Sequence, residues 1–181
     1  ESSPQISTQD SVRSAIGQGN NAYTVSQIAR YVTAVANSGT VYSLTLIDKT
    51  TDSEGNLIKD YSAEVVNSLD DVSDSTWSLV HEGMERVVSH SSTFRGYDLS
   101  MAGKTGTAQQ SSVHPDHGLF VGYAPTDSPQ IAIATRIAYG YSSSYAAEVS
   151  RDLARIYFDP DLKDELITGQ AAGLGAATTG D

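Results

Sequence analysis

The stretch from Leu99 to Ile137 constrains the fold most, because it reads as three strands in succession: Leu99 to Thr107, Gly118 to Tyr123 and Gln130 to Ile137. The last two are joined by Ala124-Pro125-Thr126-Asp127-Ser128-Pro129, a compact turn punctuated by two prolines. Ser143 to Phe158 follows as a closing helix, with Ala146, Val149, Leu153 and Ile156 at helical spacing on one side.

Two further helices and a hairpin are predicted upstream. Thr24 and Gln27 form a capping-box pair in front of Val25, Ile28, Val32 and Val35, which share one apolar face. Asn37-Ser38-Gly39 is a fitting helix stop. Val41 to Ile47 and Leu57 to Val66 read as the strands of a hairpin over about 41–66, turned by Asp52-Ser53-Glu54-Gly55-Asn56. A third helix has Trp77, Val80, Met84 and Val87 as its buried side, and Gly83, a poor helix former, suggests close packing there. Residues 1–16 are polar and poorly patterned. The expected division is a body over 1–158 and a flexible Gly-, Ala- and Thr-rich tail over 159–181.

Composition narrows the function classes. A chain of 181 residues can bury one ordinary core, and 39% hydrophobic residues is normal for a globular protein. The net charge of −11, from 22 acidic and 11 basic residues, argues against a nucleic-acid partner, whose phosphates demand Lys and Arg clusters. Otherwise the acidity reads as solubility. Without cysteine there is neither a disulfide framework nor a thiolate metal site. No apolar run approaches the roughly 20 residues that cross a bilayer, and no leader opens the chain, so any anchor or export signal is expected upstream of Glu1.

The run Gly103-Lys104-Thr105-Gly106-Thr107-Ala108 carries the chemistry. A phosphate-binding loop would need glycine where Asp98 stands and a helix beginning at the Lys-Thr pair, so that reading fails. The alternative is the Lys-Thr-Gly element of penicillin-recognising enzymes. An edge strand there can pair with an extended peptide. A lysine adds a positive field for a carboxylate, and a glycine lets the substrate approach closely. The flanks support this reading. Ser14-Ala15-Ile16-Gly17-Gln18-Gly19 followed by Thr24-Val25-Ser26-Gln27 resembles the family's Gly-Gln-Gly loop and Thr-Pro-x-Gln helix start, with Val25 in place of proline. Ala34 to Thr40, Leu79 to Val88 and Phe120 to Pro125 are similar to later blocks in the same order, with Leu119 in place of a common tryptophan. Over residues 14 to about 158 the chain resembles the C-terminal part of a penicillin-binding protein transpeptidase domain.

The resemblance implies an α+β, partial β-lactamase-like transpeptidase fold, an antiparallel sheet flanked by helices. It implies a serine D,D-transpeptidase that cross-links peptidoglycan stem peptides, is acylated by β-lactams, uses no cofactor, and works outside the cytoplasmic membrane. Lys104 would then orient and polarise the substrate, while Thr105 and Thr107 hold its carboxylate. Gly106 would give clearance, and the Thr107 N–H would join the oxyanion hole. The family's Ser-x-x-Lys is missing: Leu46, Asn56, Met101 and Pro160 stand three before Lys49, Lys59, Lys104 and Lys163. No Asn has serine two places before it, so Ser-x-Asn is missing as well. Both motifs are expected upstream of Glu1, in an N-terminal part of the same domain that would be this chain's partner. The chain by itself is expected to be inert. A β-lactamase or β-lactam sensor, or a binding module without the serine, are the other readings.

Lesser candidates have plainer explanations. His114-Pro115-Asp116-His117 reads as a loop near the site rather than zinc ligands, since Pro115 breaks the spacing. Asp70, Asp71 and Asp74 read as a solvated helix start, and Glu82 and Glu85 as surface. Tyr139, Tyr141 and Tyr145 could line a cleft but more simply cover the sheet. Arg136 is a candidate carboxylate contact.

Overall fold

The computed structural model describes residues 7–15, 17, 21–109 and 112–168. Helix α1 (Thr8–Ser14) is followed by α2 (Val25–Ala36), then by four short strands, β1 (Thr40–Tyr42), β2 (Lys49–Thr51), β3 (Leu57–Asp60) and β4 (Val65–Ser68). Helix α3 (Asp74–His90) leads through a 3-10 turn to β5 (Ala102–Ala108), β6 (His117–Ala124) and β7 (Ile131–Ile137). Helix α4 (Ser143–Phe158), a second 3-10 turn and α5 (Lys163–Leu166) complete the described chain.

The centre is a three-stranded antiparallel sheet in the order β5-β6-β7, in register from Ala102↔Tyr123 to Ala108↔His117 and from Gly118↔Ile137 to Ala124↔Ile131. Side chains alternate between its faces. On one face Phe120, Ala124 and Ile133 pack against Ala146, Ala147 and Ala154 of α4 and Val88 of α3. On the other, Tyr123 and Ala102 meet Val32 of α2, flanked by Ile28, Met84, Val121 and Ala132. Phe120 and Tyr123 are fully buried, each contributing roughly 2–3 kcal/mol by area removed from water. A Cβ on Gly103 would overlap the Phe120 ring, and one on Gly122 would lie 2.9 Å from it, so the ring occupies space that side chains would otherwise claim.

Several expected details are corrected. Helix α4 buries Ala146, Ala147, Ser150 and Ala154, whereas Val149 and Leu153 are exposed. Small residues let the helix approach the sheet closely and turn the larger side chains outward. In α3 the seam is Trp77, His81, Met84 and Val88, with Val80 exposed. Gly83 has nothing within 4 Å of its virtual Cβ, so it marks no close contact. Val25 of α2 is exposed, while Val32, Ala34 and Val35 are buried. The hairpin over 41–66 is broken into two ladders, β1 with β4 and β2 with β3, each with an irregular register. Residues Leu99 to Met101 lead into β5 rather than opening it.

The polar start hides α1, capped by Ser7 and Asp10. Thr24 and Gln27 cap α2 reciprocally, and Ser73 and Ser142 cap α3 and α4. Of the tail expected over 159–181, Pro160–Leu162 and Lys163–Leu166 are helical. Residues 169–181 lie outside the described residues, as do Gln18 and Gly19 of the expected Gly-Gln-Gly loop.

Gly103→Ala is expected to cost about 1–3 kcal/mol in chemical denaturation, because Phe120 must leave its rotamer or β5 must shift. Gly83→Ala, on an open helix surface, is expected to gain about 0.5–1 kcal/mol.

Candidate functional site

Strand β5 is an edge of the sheet, so half its backbone N–H and C=O groups face away from β6. Lys104 and Thr107 are exposed, and Thr105 and Gly106 are half-buried. The register places Lys104 opposite Val121 and Gly106 opposite Leu119, on the α2 side of the sheet. Thr105 opposite Phe120 and Thr107 opposite Gly118 lie on the α4 side. The four residues therefore share one open edge but project from its two faces.

Lys104 Nζ donates to the Thr105 carbonyl at 2.8 Å, a contact within its own strand that an incoming acceptor would have to replace. A Cβ on Gly106 would sit 3.5 Å from Leu119 Cβ, an ordinary contact. Packing within the chain thus makes no demand for glycine at 106, in contrast to 103.

The end of β5 is anchored by His117, which pairs with Ala108 and is 6% exposed. Its Nδ1 accepts the Tyr139 N–H at 3.0 Å, and its Nε2 lies 3.1 Å from Arg136 Nη2. The Tyr139 ring stands 5.0 Å from the rings of both His114 and His117. The Tyr141 N–H donates to the Asp116 carbonyl at 3.1 Å. Tyr139 and Tyr141 hold φ of 54° and 63°, a left-handed conformation costly for bulky side chains, beside the Thr107 end of the strand. Neither the tyrosine strain nor the histidine anchor is encoded in a local pattern, although the alternation of Tyr139-Gly140-Tyr141 after a strand is a turn signal. Arg136, the expected carboxylate candidate, instead lies beside His117 and lines a small cavity with Tyr23, Val25 and Ile28. Tyr145 is 43% exposed at the start of α4.

Asp70, Asp71, Asp74, Glu82 and Glu85 are all exposed. Glu82 pairs with Arg86 one helical turn on, and Asp74 lies in the first turn of α3. Among the described residues no group of three His, Cys, Asp or Glu could hold a metal, and no helix is long and apolar enough to cross a membrane.

A polar seam behind β5 joins the helices. His81 Nε2 donates to the Val35 carbonyl at 2.8 Å, a group at the end of α2. The His81 ring also stacks on Trp77 and meets Tyr123 edge-on at 5.8 Å. The Tyr123 and Tyr97 hydroxyls are closed to solvent without a hydrogen-bond partner among the described residues. Burial pushes both phenols up to about 12.

The chain matches the penicillin binding protein transpeptidase domain over residues 1–155, and it belongs to that family. It is 30% identical over 159 residues to the peptidoglycan D,D-transpeptidase MrdA of Acinetobacter baumannii, covering 78% of this chain and 23% of that protein. The structure of penicillin-binding protein 2B from Streptococcus pneumoniae superposes with a TM-score of 0.75 at 27% identity, covering 86% of this chain and 28% of the other. Penicillin-binding protein A of Mycobacterium tuberculosis, as an imipenem acyl-enzyme complex, gives a TM-score of 0.71 at 23% identity over 81% of this chain and 33% of the other. The likeness extends the α+β fold, an antiparallel sheet between helices, to these proteins. The chain spans between 23% and 26% of the length of the curated relatives it matches.

The raised phenols set a pH dependence. Below pH 10 the folded and unfolded chains both hold the two protons. Between the ordinary value of 10.0 and about 12 the unfolded chain sheds protons that the folded chain keeps, so stability falls as pH rises. Urea midpoints measured across that range should decline, and a Tyr97→Phe, Tyr123→Phe double variant should flatten the decline. Tyr123→Phe alone should leave neutral-pH stability unchanged or raise it, since it removes an unpaired buried hydroxyl.

Proposed function

We propose that this chain forms the lysine-strand side of a serine D,D-transpeptidase site that cross-links peptidoglycan stem peptides and is acylated by β-lactams. The single observation that carries the reading is the Lys104-Thr105-Gly106-Thr107 run on an exposed sheet edge, in a chain of the transpeptidase family. An extended peptide lying along β5 finds free backbone groups to pair with. The Lys104 ammonium, released from the Thr105 carbonyl, attracts the terminal carboxylate, and the Thr105 and Thr107 hydroxyls donate to it. Gly106, not needed for packing, leaves room for the peptide backbone. The Thr107 N–H stabilises the oxyanion that forms as a serine oxygen adds to the penultimate D-alanyl carbonyl.

That serine, its activating lysine and the Ser-x-Asn motif would come from an N-terminal part of the same domain, the partner this reading requires. The site would then operate on the outer face of the cytoplasmic membrane, held by an anchor outside residues 1–181. β-Lactamase and sensor readings predict different kinetics. A transpeptidase remains acylated for long periods, whereas a β-lactamase turns over.

In the full-length protein, Lys104→Ala should slow acylation by a fluorescent penicillin by about 10²–10³-fold, or roughly 3–4 kcal/mol in the transition state. A change below about threefold would remove the role of Lys104. Gly106→Val should leave the melting temperature within a few degrees of the parent while slowing acylation at least about tenfold, separating clearance for substrate from packing.

A further inference from the structure

A cavity of about 510 Å³ lies where the loop before β5 meets the C-terminal half of α4. In a chain of net charge −11, three of its seven arginines, Arg95, Arg151 and Arg155, line this one place. Arg151 is engaged: Nη1 donates to the Thr93 carbonyl at 2.7 Å, and Nε and Nη2 donate to Asp152 at 2.8 and 3.1 Å. Arg155 is held more loosely, in a long ion pair from Nη1 to Asp152 at 3.8 Å. The Arg95 side chain has no hydrogen-bond or ion-pair partner among the described residues. Asp98 and Asp159 line the same cavity; Asp159 Oδ1 accepts the Asp161 N–H at 3.2 Å, while the Asp98 side chain has no partner among the described residues. The wall is completed by Tyr97 and by the apolar Phe158 and Leu162.

Arg95 and Asp98, opposite charges on one wall that do not pair with each other, point to a ligand carrying both signs. A guanidinium fork matches a carboxylate in two parallel hydrogen bonds, and a carboxylate takes an ammonium. Asp98 and Asp159 would repel a polyanion. We infer that this cavity binds a small zwitterionic peptide, its carboxylate on Arg95 with Arg155 beside it, its ammonium on Asp98, and its side chains against Phe158. The site stands apart from Lys104 and does not rest on the catalytic reading.

The test uses the full-length protein and L-alanyl-L-alanine, followed by calorimetry and by NMR of the arginine side-chain Nε–H signals. Saturable binding is expected, shifting the Arg95 and Arg155 signals, with the C-terminal amide and the N-acetyl form each weaker by about tenfold or more. Arg95→Ala should weaken binding at least about fivefold, with the melting temperature and the penicillin acylation rate unchanged. Arg95→Lys should recover part of the loss, and Lys104→Ala should leave dipeptide binding intact. Absence of saturable binding, equal affinity for the amide, no effect of Arg95→Ala, or inorganic phosphate binding as tightly as the dipeptide would each overturn the inference.

Discussion

The Phe120 ring beneath Gly103 and beside Gly122 sets the spacing on which the site depends. Because neither glycine carries a Cβ, the ring can lie flat against two strands, and β5 can approach both the sheet and the helix below. Lys104 is the next residue along, so its exposure at the edge follows from how its neighbour is seated. The other side is filled by Tyr123 and Val32, which hold α2 against the same strands. A strand offering its edge to a substrate has no partner strand to stiffen it there, and the rigidity must come from the two faces.

Polar contacts join these layers at their ends. His81 of α3 closes on a carbonyl at the end of α2, and Arg30 of α2 donates through Nε to the Tyr42 carbonyl of β1 at 2.8 Å. At the opposite end of β5, His117, Arg136 and the left-handed Tyr139 lock the start of β6 to the end of β7. The reactive run lies between these two clamps. This division suits a site that must hold hydrogen-bond donors at fixed positions.

Local signals were legible in the sequence, and contacts between distant segments were not. The Thr24–Gln27 cap, the Asn37-Ser38-Gly39 stop and the placement of Lys104 on a strand each rest on a few neighbouring residues. Periodicity misplaces the buried face of α4 because it follows large apolar residues, whereas close packing selects Ala146, Ala147, Ser150 and Ala154. His81 carries no pattern signal for a related reason: it fills a core position as an aromatic ring with a polar tip. The convergence of Arg95 with Arg151 and Arg155 depends on a loop meeting a helix more than fifty residues later, which no local pattern encodes.

The helix caps have a consequence for the surroundings in which the fold persists. Ser7, Thr24, Ser73 and Ser142 accept the first-turn amide hydrogens through hydroxyl oxygens, which neither gain nor lose a proton across the biological range. Aspartate caps would be disarmed in acid as their carboxylates neutralise. Of these four starts, acidification would loosen that of α1, where the Asp10 carboxylate accepts the Ser7 N–H in return, and would leave the hydroxyl caps of α2, α3 and α4 intact.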